Sequence, residues 1–420
     1  MKSFDIIVFG GTGFTGEHVV RELFLTAASE EISWAIAGRS LQKMRQTLQS
    51  ISDALAINDF TEIGMVIADI HDTESIKSMC ERAKLVINCV GPYFLLGRPV
   101  IEGCLAAKCH YLDISGEPLF MEQMEADYHQ KAEDLGIVIV SACGFDSIPA
   151  DIGVRFAQIH FPGILTSIES YLKVGIGRKG FSVHLPTFQC IINGFSSRDT
   201  LLKLRKDLNM PKIQKFGSPL RLKTGIWREN GSFCVPFAGS DRSVICRTQR
   251  AIYNKDNVIP AQTGVYLMVQ STLQFIYLCL FGIIFLSLVH SKFGRKLLMS
   301  HPKVFTLGLV SKDGATPEQI SQSSFSFIHK GCGYSTGHSL EGEPDKFIEI
   351  EVSGPDPGYV SCARFISQAA YSVLNHGPQH YGVLTPGAAL DVEDYVDRLN
   401  ERGISFNITK IGSINSTSNE

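Results

Sequence analysis

Charge is what this 420-residue chain has little of. Asp, Glu, Lys and Arg supply 19% of it, below the usual share of about 25%. The 39 basic and 42 acidic residues leave a formal net charge of −3, so the basic excess of a dedicated nucleic-acid binder is missing and no nucleic-acid partner is expected. The 11 cysteines form no C-x-x-C pair, which excludes a zinc ribbon or a thioredoxin-type centre. There is no H-E-x-x-H, and the 12 histidines are scattered, so no metal is expected. No tyrosine is followed by lysine as Tyr-x-x-x-Lys, the pair a short-chain dehydrogenase places on one helical face. No repeat or low-complexity tract occurs. Asp5 and the short run Ile6–Phe9 do not make a signal peptide. The expectation is a protein that is not secreted, in a reducing, cytosol-facing compartment. The sequons at Asn407 and Asn415 then carry no meaning.

What is present is a regular alternation. Short apolar runs at Phe4–Phe9, Trp34–Ala37, Met65–Ala68, Leu85–Val90, Tyr111–Ile114 and Ile137–Val140 are separated by stretches with helical spacing. Thr73 is placed to cap one helix, and Pro99 suits the first turn of another. Six strands separated by helices predict a doubly wound, mostly parallel sheet.

The first run ends in Gly10-Gly11-Thr12-Gly13-Phe14-Thr15-Gly16 and opens a helix. That is the context a dinucleotide-binding glycine loop requires. Glycines allow a tight turn, let the backbone approach a pyrophosphate and let helix and strand pack closely. The amides at the helix start favour the phosphates. NAD sites usually carry an acid at the end of the second strand, whereas here the chain reads Ala37-Gly38-Arg39-Ser40. Arg39 and Ser40 suit a 2′-phosphate, so NADP is expected in preference to NAD; the alternative is a solvated arginine. Asp69 ends the third strand, where it meets an adenine amino group or caps a helix. Asn88-Cys89-Val90-Gly91-Pro92 ends the fourth, which places Asn88 and Gly91 along the cofactor.

No catalytic group is singled out. Tyr93, Asp113, Glu117, Cys143 and Asp146 stand near strand ends as candidate proton donors, Tyr93, Cys143 and Asp146 foremost. Each has a structural alternative: Tyr93 packing, Glu117 capping a helix, Cys143 inert, and Asp146 or Ser147 capping the helix that holds Pro149. Hydride transfer needs no protein nucleophile, because the cofactor carries that chemistry.

Gly10–Gly16, Ala37–Ser40, Asn88–Tyr93, Asp113-Ile114-Ser115-Gly116-Glu117, Gly144–Asp151 and Thr385-Pro386-Gly387-Ala388 occur in this order. Together the blocks resemble the saccharopine dehydrogenase-like oxidoreductases along the whole chain. The resemblance implies a Rossmann-type nucleotide-binding domain, an inserted α+β domain and a relation to enoyl reductases of glycolipid synthesis. The boundaries expected are 1–150 for the NADP-binding domain and 151–355 for the α+β substrate domain. Residues 356–420 are expected to pack back on the first domain.

Two stretches of the second domain differ from the rest. Arg198–Arg228 holds nine Lys or Arg against Asp199 and Asp207, a balance of +7, with Pro211 and Pro219 breaking any long helix. It reads as a solvated loop or a surface facing anionic lipid. Between Asp256 and Lys292 there is no charged residue. The 26 residues Gly264–Val289, within an apolar segment 258–291, would extend about 39 Å as one helix, enough for a hydrocarbon core of about 30 Å. A single crossing would split the enzyme sequence across a bilayer. A re-entrant or interfacial helix avoids this, with Phe281 and Phe285 on one lipid-facing side; the alternative is a buried helix.

The sequence thus predicts an NADP-dependent oxidoreductase acting on a hydrophobic, lipid-linked substrate at a membrane or lipid-droplet surface. The endoplasmic reticulum surface and the mitochondrion are further locations, and a homodimer is left open. The alternative is a nucleotide-binding surface protein of droplets or membranes without turnover.

Overall fold

In a computed structural model of the chain, residues 2–57, 59–209 and 212–414 are described. Pro211 and Asn415 lie outside them. The strands are β1 Phe4–Phe9, β2 Trp34–Gly38, β3 Gly64–Ile67, β4 Ala83–Asn88, β5 His110–Asp113, β6 Val138–Val140, β7 Ile164–Gly175, β8 Val183–His184, β9 Trp227–Glu229, β10 Ser232–Pro236, β11 Gln262–Val269, β12 Val310–Ser311, β13 Ser324–Tyr334, β14 Lys346–Pro355, β15 Gly382–Leu384 and β16 Ser405–Ser413. They divide between two compact units. The first comprises residues 1–145 and 358–399, the second 146–357 and 400–420.

The first unit holds a seven-stranded sheet in the order β15-β6-β5-β4-β1-β2-β3. Every neighbouring pair is parallel. Its strands are short apolar runs because a parallel sheet is covered on both faces; every residue of β2 is buried. The order of β1 to β6 is that of a doubly wound dinucleotide-binding fold, with its switch point between β1 and β4. β15 extends the sheet beyond β6.

Local expectations needed adjustment in three places. The third helix, Thr73–Arg82, is capped by Asp72, whose carboxylate accepts from the amides of Glu74 and Ser75; Thr73 is its first residue. Pro99 lies inside the helix Tyr93–Ala107, not in its first turn. That helix starts earlier because a buried acid from elsewhere holds its first amides. Residues 356–420 are shared: Val360–Asn375 packs on the first helix, Phe14–Thr26, within unit one, whereas β16 is an edge strand of the second sheet.

The second unit is built on a mixed sheet, β16-β14-β13-β7-β11-β10-β9. β13 alternates buried and partly buried residues, the period-2 pattern of a sheet covered on one face. The helix Ile148–His160 lies on that face, and Gly153 makes this possible: a Cβ there would stand 2.4 Å from His329 Nε2. His329 is buried between Pro149 O at 3.1 Å and Ser170 Oγ at 2.8 Å. The carbonyl can only accept, so Nε2 donates to it and Nδ1 accepts from Ser170. Burial holds the ring neutral, its pKa pushed down to about 3.

The apolar stretch 264–289 is not one helix. Its first part is β11, paired with β7 and β10; its second is the 18-residue helix Thr272–Val289. β-branched and aromatic residues at alternating positions and Gln270-Ser271 before the turn favour this division. The Ser271 side chain caps the helix by accepting from the Gln274 amide.

Candidate functional site

The carboxyl ends of β1, β2, β3 and β4 meet at one edge of the first sheet. Gly10 has φ +83°, a left-handed conformation that favours glycine. Its amide donates to Ala37 O at the end of β2. Gly16 is held more tightly: a Cβ would lie 2.2 Å from Gly10 O. The first helix therefore starts hard against the loop. No side chain caps that start, and Gly13 is exposed with only Gly10 O near its Cβ direction. An uncapped helix start behind an open glycine is suited to an anion. Beside the loop, Phe14 and Tyr359 meet edge to face with ring centroids 4.7 Å apart, and His18 stacks on Tyr359. Burial depresses His18 to a pKa of about 4, so it adds no charge there at neutral pH.

Arg39 follows β2 and is exposed. Ser40 is the N-cap of the next helix, Leu41–Leu55, accepting from the Lys43 amide at 3.3 Å. Asp69 accepts from the His71 amide at 3.1 Å in a local turn; the adjoining helix is capped by Asp72 instead. Ala68 N–H donates to Gly38 O, which places this turn next to the end of β2.

At β4, β5 and β6 the structure ties several sequence candidates into one network. Asn88 is fully buried; its Oδ1 accepts from the Val90 amide and its Nδ2 donates to Tyr111 Oη at 3.0 Å. Tyr111 in turn donates to Asp113 Oδ2 at 2.8 Å, and Ser141 Oγ donates to the same oxygen at 3.0 Å. Asp113 Oδ1 accepts from the amides of Ser115 and Ala142. Burial pushes the Asp113 carboxyl up to about 6, against the pull of these four donors. Ala142, with φ +66°, is strained for a residue bearing a Cβ.

Tyr93 and Glu117 are also engaged. Tyr93 Oη donates to Asn88 O at 3.0 Å. Glu117 accepts from the Tyr93 amide at 2.8 Å and the Phe94 amide at 3.4 Å. It thus caps Tyr93–Ala107, not its own helix Pro118–Asp134. Gly91 precedes a cis peptide to Pro92. Cys143 is buried, with Sγ 3.7 Å from Val140 O, and Cys89 is pushed up by burial. Cys89 is therefore not set up as a thiolate.

Asp146 opens the second unit. Its Oδ2 accepts from Ser240 Oγ at 3.1 Å, and burial raises its pKa to about 6. Asp241 is also raised, by burial and by the charges of Asp146 and Asp151. Among the described residues no group of three or more His, Cys, Asp or Glu is arranged to hold a metal. Sequence reasoning missed Tyr111, Ser141 and Ala142. The only signal was Tyr111-x-Asp113, two polar-headed residues on one face of an otherwise apolar strand.

Residues 6–140 match the family described as the saccharopine dehydrogenase NADP binding domain. A rat saccharopine dehydrogenase-like oxidoreductase is 39% identical, covering 97% of both chains. A Caenorhabditis elegans lipid droplet localized protein is 33% identical over 97% of this chain and 99% of its own. An Arabidopsis thaliana relative named as a mitochondrial saccharopine dehydrogenase-like oxidoreductase is 33% identical over 96% of both. Among solved structures, the yeast L-Glu-forming saccharopine dehydrogenase overlays with a TM-score of 0.51 at 14% identity, covering 97% of this chain and all of that one; this likeness concerns the fold. The chain belongs to the saccharopine dehydrogenase-like oxidoreductases and carries their NADP-binding domain.

Proposed function

We propose that this oxidoreductase transfers a hydride between NADP and a hydrophobic, lipid-linked substrate at a membrane or droplet surface. The observation that carries the cofactor half is the uncapped helix start behind Gly10–Gly16, with Arg39, not an acid, after β2. When bound, the nicotinamide supplies the hydride. The chain's part is to hold and orient. The amides behind Gly13 receive the pyrophosphate, with Thr12, Phe14 and Thr15 completing the loop. Arg39 and Ser40 receive the 2′-phosphate, and Asp69 faces the adenine side. Asn88, buried with both side-chain polar atoms engaged, shapes the turn that carries Gly91 toward the nicotinamide.

The buried Asn88–Tyr111–Asp113–Ser141 network fixes the ends of β4, β5 and β6. Tyr93 and Cys143 have their polar atoms engaged inside the first unit; Asp146, an acid of the second unit raised by burial to about 6, is the candidate proton donor put to the test. Support for the lipid half comes from the exposed apolar helix Thr272–Val289 and from the name of the worm relative. The test is NADPH consumption by the purified protein on fractionated lipid extracts, with Asp146→Asn beside wild type. NADPH binding without turnover on any fraction would favour a surface protein over an enzyme.

A further inference from the structure

The helix Thr272–Val289 has two unlike sides. Phe285 and Val289 are 3% and 0% exposed, in a cluster with Phe188, Ile192, Leu298 and Val310. Phe281 packs against this cluster too, so the pair Phe281 and Phe285 faces the protein, contrary to the expectation from spacing alone. Tyr277 donates to Thr306 O on the same side, and Arg295 closes the helix end by donating to Val289 O at 2.9 Å. The other side carries Leu273, Ile276, Leu280, Ile283 and Leu286, spaced by three or four residues on one stripe. Leu273 is 79% and Ile283 69% exposed. Phe293 and Val304, in the two short helices that follow, Lys292–Ser300 and Pro302–Phe305, are 75% and 66% exposed. Lys292, Lys296 and Lys303 are exposed among these apolar groups, and no acid occurs between Asp256 and Asp313.

We infer that this face is a one-sided footprint for an anionic phospholipid surface. The helix lies in the plane of the headgroups and does not cross. A crossing helix needs apolar contact all round, whereas half of this one is already fastened to its own unit by aromatic packing. By length and composition its 18 residues, about 27 Å, could cross a membrane, so the fastening of one side and not the length is what argues for a helix in the plane. An apolar stripe followed by exposed lysines at its carboxyl end matches the interfacial pattern, in which area gives binding and charge selects the lipid. The stretch between Asp256 and Asp313 offers no acid to meet the lysines of a second copy, so charge complementarity selects an anionic leaflet over self-association. The inference rests on the surface-association reading above and specifies its lipid and its geometry.

The experiment is flotation of the full chain with vesicles of phosphatidylcholine alone or with about 30% phosphatidylserine. Binding should be at least about tenfold tighter to the anionic vesicles and fall steeply with salt. Leu280→Glu with Ile283→Glu should abolish flotation while leaving the thermal melt and NADPH titration unchanged. Lys292→Glu with Lys296→Glu should erase the preference for phosphatidylserine. With Phe293→Trp, lipids brominated near the headgroup should quench the indole more than lipids brominated near the chain end.

Equal binding to both vesicle types would overturn the anionic assignment and leave surface association standing. Binding to neither would sink both. Stronger quenching from the chain end would indicate insertion beyond the plane. A dimer that Ile283→Glu dissolves, with no flotation, would assign the face to a second copy.

Discussion

The two units place their polar and apolar groups in opposite ways. At the edge of the first sheet the buried acids are answered from within: Asp113 has four donors, and Glu117 caps a neighbouring helix. The second unit leaves business open. Its outer helix shows an apolar stripe to the surroundings, and Asp146 and Asp241 are crowded together. A closed network gives a rigid frame on which a cofactor can be held. Exposed apolar area and crowded acids are where an external partner or a proton changes the free energy most.

The largest test of the contrast is Asp113→Ala. It removes the acceptor of two hydroxyls and two buried amides, each costing about 1–3 kcal/mol when orphaned. Denaturant unfolding should show a loss of about 4 kcal/mol or more. A loss below about 1 kcal/mol would mean the network contributes little to the frame.

Next is the pH response of Asp146. Its carboxyl titrates at about 6 when folded, against 3.8 ordinarily, so between these values the folded chain holds a proton that the unfolded chain has released. This contribution to stability is full below about pH 4 and is lost as the pH rises through 6. The span is on the order of 3 kcal/mol. Asp146→Asn should flatten that part of the stability profile, since an amide can still accept from Ser240. An unchanged profile would assign the titration elsewhere.

Smaller effects are expected at the cofactor loop. Gly13→Asp sets a charge before the uncapped helix start, where little packs against it. Isothermal titration should show NADPH binding weakened by about tenfold to over a hundredfold with an unaltered melt, the range of a lost charge-assisted contact. A lowered melt would show that Gly13 belongs to the packed frame, as Gly16 does. Arg39→Asp should weaken NADPH by a similar or smaller factor and leave NADH unchanged or tighter. Equal loss for both would remove the 2′-phosphate role.

Much of the first unit was legible because its signals are local. A run such as Ile6–Phe9 followed by four glycines in seven residues specifies strand, turn and helix within a dozen positions. The apolar helix was legible as composition only: hydropathy registered that Thr272–Val289 was apolar but not which side was taken. Phe281 and Phe285 look like the better lipid anchors by size, yet Phe285 meets Phe188 and Phe195, far away in sequence, and Phe281 packs on Phe285. Glu117 shows the same limit. Position before a helix suggested a local cap, and only the folded chain brought it to the amides of Tyr93 and Phe94.

Sequence by itself determined the parallel sheet, the glycine loop and the preference for a cation after β2, because periodicity, backbone freedom and side-chain charge act over a few residues. The tertiary structure decided the rest: which acids are buried together, which tyrosine donates to which carboxylate, and which face of the apolar helix remains open. Those outcomes depend on burial and on pairs far apart in the chain, and desolvation is a property of the packed molecule that no short stretch of residues contains.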